Sequence, residues 1–331
     1  MKRSFFIALA LAFSHPAARA ESASGTFTNP VNPAADPWVG FENGRYFLAT
    51  TQGDSIRLWQ TDSVADLAKA RPQVIWGKGH DVWAPEFHKL RGPDGERWYC
   101  YFTMSDGPDI NHRMYVLESR TARIDGPYGE PKLIRTDPKN EFYAIDGTVF
   151  VHPNGKRYFL WAGHPGHRLF ISEMENPWTL KGERKLIEAS GFGCQEVREG
   201  PFIITHGNRI FLTYSACDTG KPDYCLGALW TTPDQDPMLQ KSWVQIEKPI
   251  LKRADENGVY GPGHHSFFKS PDGKEDWIAY HGKKTVEYTY KGRSTRLQKL
   301  EWTAEGLPVP VVPLSLKSEV RVPSGDPRAA R

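Results

Sequence analysis

A strand-and-turn phrase recurs five times along the chain, and a repeat of this length constrains the fold more than any local helix or strand preference. Its core is a Gly turn, a basic or polar residue and an aromatic-rich run: "NGRYFLATT", "DGERWYCYFT", "NGKRYFLWAG", "GNRIFLTYSA" and, more loosely, "DGKEDWIAYHG". With Tyr46, Trp98, Tyr158, Ile210 and Trp277 aligned, the steps are 52, 60, 52 and 67 residues, uneven in the way loop insertions make them. Each unit has an apolar run before the turn, such as "TVFVHP" or "PFIITH", and an alternating run after it, such as "SIRLWQT" or "HRLFISEM". Period-two alternation between Gly, Asn and Asp turns reads as antiparallel strands. Small antiparallel sheets returning roughly every fifty residues predict an all-β chain folded as a five-bladed β-propeller. A pair of β-sandwiches is the competing architecture, and it gives no reason for one strand order to return five times. "DSVADLAKA" predicts a short helix on a connection.

The repeats follow a leader. Residues 1–20, "MKRSFFIALALAFSHPAARA", have the basic start, short apolar run and Ala-Arg-Ala ending of a cleavable secretory signal. The apolar run is far shorter than the roughly twenty residues that span a bilayer. The expectation is an exported protein, periplasmic or extracellular, with residues 21–331 forming a single propeller domain and acting as a monomer. Its 42 Lys and Arg nearly balance 39 Asp and Glu, and no basic run stands out, which argues against a nucleic-acid or membrane partner. Among the four cysteines, Cys217 and Cys225 bracket the turn-rich "CDTGKPDYC" and are candidates for a bridge. Cys100, inside "RWYCYFT", reads as a buried free thiol, and Cys194 is left unassigned.

What precedes the first strand of each unit is acidic four times running: Asp36 in "ADPWV", Glu86 in "WAPEF", Asp146 in "IDGTV" and Glu199 in "EGPFI". The fifth unit has His264 in "GPGHHSF". Taken singly, each acid beside Pro or Gly is ordinary turn chemistry. At matching positions of a propeller, however, they would converge on the axis. Like charges held together resist joint ionisation, so one acid tends to keep a proton while another stays charged. Glycosidic cleavage uses that division, with a proton donor on one side and a carboxylate on the other. A bound cation is the rival reading of the same acids, because hard metals prefer oxygen. Most of the aromatic rings should pack between blades. Trp83 and Trp38, beside Glu86 and Asp36, are the two expected to meet a sugar.

At these residues the sequence resembles glycoside hydrolase family 43, five-bladed propeller enzymes acting on arabinose- and xylose-containing polysaccharides. The likeness runs from "NPVNPAADPWV" to "TRLQKLEW". It implies that Asp36 is the general base, Glu199 the general acid, and Asp146 a third acid whose negative charge raises the pKa of the donor. His264 matches the family histidine near the axis, often associated with calcium or another cation; here His265 follows it. Arg293, five residues before Gln298 in "GRSTRLQ", matches a sugar-contacting arginine, although a solvated loop arginine reads equally well from composition. Glu86 matches a supporting position. The family inverts configuration, which implies roughly 6.5–9.5 Å between base and acid carboxyls to admit a water.

Within that family the motifs look most like single-domain α-L-arabinofuranosidases that release terminal arabinose from arabinan or arabino-oligosaccharides. β-Xylosidases and endo-arabinanases share the frame. Many such xylosidases carry a C-terminal β-sandwich, for which the residues after "EWTAEGLPVPVVPLSLKSEV" are too few. A reading of another class is a non-catalytic propeller that binds a carbohydrate through the same acids.

Overall fold

A computed structural model describes residues 25–329. The secretory signal expected at 1–20 lies outside the described residues. Five antiparallel sheets follow one another along the chain, each a meander whose strands pair in sequence order. Their first strands are Trp38–Glu42, Trp83–Gly92, Ala144–Val151, Arg198–His206 and Tyr260–Lys269. The second strands, Arg45–Ala49, Gly95–Met104, Arg157–Gly163, Arg209–Ala216 and Asp276–Lys283, carry the aromatic phrase on which the repeat was recognised. The architecture is the expected five-bladed propeller.

The aromatic phrase is buried because alternate side chains of each second strand face opposite neighbouring sheets. Tyr99, Tyr101, Phe159 and Trp161 fill the space between blades 2 and 3. Leu160, Ile171, Leu212 and Tyr214 do the same between blades 3 and 4. "DSVADLAKA" becomes a 3-10 helix, Val64–Lys69, capped by the Ser63 side chain. Among the described residues no helix is long and apolar enough to cross a membrane.

Blades 1 to 4 have four strands and blade 5 has three. Its open edge, Ser294–Leu300, is covered by residues 29–32. Asn29 exchanges two side-chain hydrogen bonds with Leu297, at 3.0 and 2.9 Å. Val31 N–H donates to Thr295 O at 3.0 Å, and Thr295 N–H donates to Asn32 O at 2.9 Å. A two-stranded ribbon, Thr26–Thr28 against Glu319–Arg321, completes the join. Closure thus ties the two ends of the described residues together and leaves no bare sheet edge there.

The disulfide differs from the expected one. Cys217 bonds to Cys194, their Cα atoms 5.1 Å apart, while Cys225 and Cys100 are free and buried. Cys225 lies in strand Cys225–Thr231 opposite Ala216, and its side chain packs into the core shared by blades 3 and 4. Cys217 follows the end of that sheet with a left-handed φ of 75° and turns out of it. The bridge ties the segment leading to Glu199 to the loop that carries Asp218 and Thr219. Loop-closure entropy over the 23 intervening steps in sequence predicts that Cys194→Ser with Cys217→Ser costs about 3 kcal/mol, read as a lower melting temperature.

Candidate active site

The mouths of the five first strands share a backbone device. Asp36, Ala84, Asp146, Gly200 and His264 all have positive φ, between 39° and 59°, a conformation costly for residues other than glycine. In blades 2 to 5 the pairing register also slips beside that residue, as bulges near active sites do. The kink sits at the mouth of each blade's first strand. Asp36, Asp146 and His264 occupy it, whereas Glu199 precedes the kinked residue of its blade by one and Glu86 follows by two. The equivalence expected among the four acids is therefore offset at two of them, and their chemistry differs accordingly.

Hydroxyls hold several of these kinks. The N–H groups of Ala84, Asp146 and His264 donate to Thr51, Thr103 and Ser215 of the preceding blade, at 2.9, 3.2 and 2.9 Å. Blade 3 has Ala162 at the corresponding place, opposite Ile145. With no hydroxyl there, the Gly200 N–H of blade 4 donates to Asp146 Oδ2 at 3.1 Å instead.

Asp36, Asp146, Glu199, His264, Arg293 and Trp83 come together around a cavity of about 540 Å³ that also takes in Tyr143, His164, His167, Asp218, Thr219 and Tyr290. Trp83 lies flat on His112, ring centroids 3.7 Å apart. Trp38 does not join them. It is buried against Phe87 at 5.2 Å, within the core formed by blades 1, 2, 4 and 5, because the left-handed φ of 59° at Asp36 breaks the extended alternation before the strand begins at Trp38. Glu86 is also absent from the cavity wall; buried, it contacts His88 at 3.0 Å.

Asp36 Oδ1 is 3.0 Å from His281 Nδ1, 3.3 Å from Arg293 Nη1 and 3.7 Å from His264 Nδ1. Burial would raise its pKa, but Arg293, His264 and the His281 hydrogen bond together hold it well below the usual carboxylate range. Burial pushes His281 down to about 4, so it is neutral. Its Nδ1 faces Asp36 Oδ1 and its Nε2 lies 3.2 Å from the Thr219 hydroxyl. Thr219 in turn accepts from Arg293 Nη1 at 3.2 Å. Asp36 is thus fixed as an ionised base.

Glu199 and Asp146 divide a proton. Burial raises Asp146 most, His264 opposes it, the Glu199 and Asp36 charges add to the rise and His167 opposes it, leaving Asp146 at about 7. Burial also acts on Glu199, yet His167, the Tyr224 hydroxyl and His264 carry it below its ordinary value. Tyr224 O–H donates to Glu199 Oε1 at 2.7 Å, and His167 Nε2 lies 3.2 Å from Oε2. This reverses the direction expected for the donor. In the open pocket the proton rests on Asp146, because Glu199 has both a hydroxyl and an imidazole to stabilise its charge.

Tyr224, His281 and His167 were not singled out in the sequence. Tyr224 follows a turn-rich run and His281 ends an aromatic strand, so both read as packing residues; "GHPGHR" around His167 was the one visible signal. Gly263 makes room for Tyr224, since a Cβ there would lie 2.3 Å from Tyr224 Cε1. Gly263→Ala should push the hydroxyl off Glu199 and lower kcat about tenfold, on the scale of one charge-assisted hydrogen bond, with little effect on KM. Steady-state kinetics check it.

His264, the histidine expected near the axis, points at the acids. Its Nδ1 faces Asp36 and Asp146 at 3.7 and 3.8 Å, and both carboxylates, with Glu199, raise its pKa against the effect of burial. The two carboxylates bias the imidazole toward its charged form. Among the described residues no group of three or more His, Cys, Asp or Glu side chains gathers as metal ligands. His265 turns the other way, against Thr213, which identifies His264 as the imidazole facing the acids.

Together the propeller and its axial pocket of three carboxylates and a histidine define the class of propeller glycosidases. The chain belongs to the glycosyl hydrolases of family 43, whose family model matches residues 27–308. It is 37% identical over 313 residues to an extracellular exo-α-(1→5)-L-arabinofuranosidase of Streptomyces avermitilis, covering 87% of this chain and 63% of that protein. The chain thus spans less than two thirds of that relative. A protein of the same name from Streptomyces chartreusis is 33% identical over 283 residues, covering 79% of this chain and 84% of the relative. The crystal structure of an α-L-arabinofuranosidase from Lactobacillus brevis superposes with a TM-score of 0.80 at 28% identity, covering 88% of this chain and 98% of the other.

Proposed function

We propose that this chain is an exported, inverting, exo-acting α-L-arabinofuranosidase that releases terminal L-arabinose from arabinan or arabino-oligosaccharides. The observation that carries this reading is one cavity lined by a charged carboxylate, Asp36, and by a proton-sharing pair, Asp146 and Glu199. Asp36 draws a proton from water as that water attacks the anomeric carbon. Glu199 delivers a proton to the departing oxygen, and Asp146 holds the donor in place. Arg293 and Trp83 meet the sugar. Arabinose as the substrate sugar follows the printed names of the relatives, and export agrees with two of them being called extracellular.

The test is hydrolysis of 4-nitrophenyl α-L-arabinofuranoside and 4-nitrophenyl β-D-xyloside by the mature protein and by Glu199→Ala. Arabinoside cleavage that the substitution abolishes is the expected result. A preference for the xyloside would replace arabinose with xylose. Turnover of neither these nor linear arabinan would leave a binding propeller.

A further inference from the structure

His167 lines the cavity beside the general acid, and the mechanism above gives it no step. It stands at a left-handed φ of 50°, on the short turn between the second and third strands of blade 3. The turn is braced by Arg168, which donates to the carbonyls of Gln195 and Glu196 at 2.6 and 3.0 Å. Tyr143 lies edge-on to the ring at 5.5 Å. His167 Nε2 is buried and has no aligned hydrogen-bond partner; the atom it faces is Glu199 Oε2, at 3.2 Å. The charged and titratable groups around it are Glu199, Asp146 and Asp109, with His164 6.2 Å away ring to ring.

This arrangement exposes a conflict in the proposed reaction. Glu199 must carry a proton when the glycosidic oxygen departs, yet in the open pocket His167 and the Tyr224 hydroxyl stabilise it as an anion. The counter-charge that makes it so is within reach of handing over a proton. Expelling water from a closed site disfavours a separated pair of charges relative to the neutral pair, since both ions lose solvation. A sugar filling the cavity does this to His167 and Glu199.

Resting on the arabinofuranosidase reading, we propose that His167 arms the general acid: when substrate enters, the proton on His167 Nε2 passes to Glu199 Oε2. The Nε2–H bond breaks, the Oε2–H bond forms, the imidazolium becomes neutral imidazole and the carboxylate becomes carboxyl. The transfer needs no further reactant. Asp146 is the rival source: with Oδ2 accepting from Gly200 N–H its proton sits on Oδ1, and what favours His167 is that its Nε2 faces Glu199 Oε2 directly, 3.2 Å away. His167 is then a positioning residue for the proton rather than the donor to the sugar.

Asn suits the left-handed backbone at this position, so His167→Asn should fold, and its melting temperature verifies that. The discriminating readout is the leaving group. α-1,5-Arabinobiose departs as a sugar alkoxide and requires the proton, whereas 4-nitrophenolate departs readily without full protonation. The variant should lose about 100-fold in kcat on arabinobiose and on the order of threefold on the nitrophenyl arabinoside, with exogenous imidazole restoring part of the arabinobiose rate. Equal losses on both substrates, or none on either, would overturn the role of His167 while leaving the arabinofuranosidase reading in place. Failure of the unaltered protein to cleave either arabinoside would overturn both.

Discussion

Asp146→Asn should yield a protein that melts at a higher temperature than the unaltered chain and turns over arabinosides at least about 100-fold more slowly. The folded Asp146 carboxyl titrates at about 7 because it is buried among other acids, whereas an unfolded one titrates at about 3.9. Between those values the folded state binds more protons, so stability falls as pH rises. Below about pH 4 both states hold the proton, and the two proteins should melt nearly alike. Above pH 7 the whole penalty is present, on the order of 4 kcal/mol at most, and the variant escapes it. Asn keeps an oxygen for the Gly200 N–H, 3.1 Å from Asp146 Oδ2, and tolerates the local φ of 57°. Thermal melts from pH 4 to pH 8 provide the check. A stability gain that did not grow with pH would contradict the buried-proton account.

Asp36→Asn should do the opposite to stability while also removing activity. The folded Asp36 titrates well below the usual range, since Arg293, His264 and His281 outweigh its burial. Its charge therefore stabilises the fold above the unfolded pKa of about 3.9, and that contribution is lost as pH falls through the lower folded value. With Asn there, Arg293 and His264 face one another without this counter-charge, and the melting temperature should drop at neutral pH. Loss of the base should slow turnover about 1,000-fold. That loss should be the same for nitrophenyl and sugar leaving groups, because the base acts on water and not on the departing oxygen. A loss confined to sugar leaving groups would assign Asp36 to the acid side. The two aspartates thus share one pocket and have opposite effects on the stability of the fold.

Their identities were legible in the sequence, and their states were not. Asp36 and Asp146 each precede an apolar strand of the repeat, so position alone marked them. Which of them holds a proton depends on Arg293, His281 and His167, brought in from blades 5 and 3, and no local pattern reports such encounters. Trp38 is the instructive miss. Its closeness to Asp36 in sequence suggested closeness in space, but the left-handed backbone at Asp36 turns the chain before the strand starts and the ring is buried against Phe87. The Cys194–Cys217 bridge is a second case, because loop spacing cannot say which thiol turns out of a sheet.

The sequence by itself determined the five blades, their strand order and the acids at their mouths, since alternation, turn residues and repeat length are properties of neighbours along the chain. Tertiary structure alone decided that residues 29–32 cover the open edge of blade 5, that an alanine at position 162 turns the Gly200 N–H toward Asp146, and that Tyr224 and His167 flank Glu199. The reason is the range of the forces involved. Strand patterning is set within a few residues, while protonation and closure are set by groups that meet only when all five sheets surround one axis.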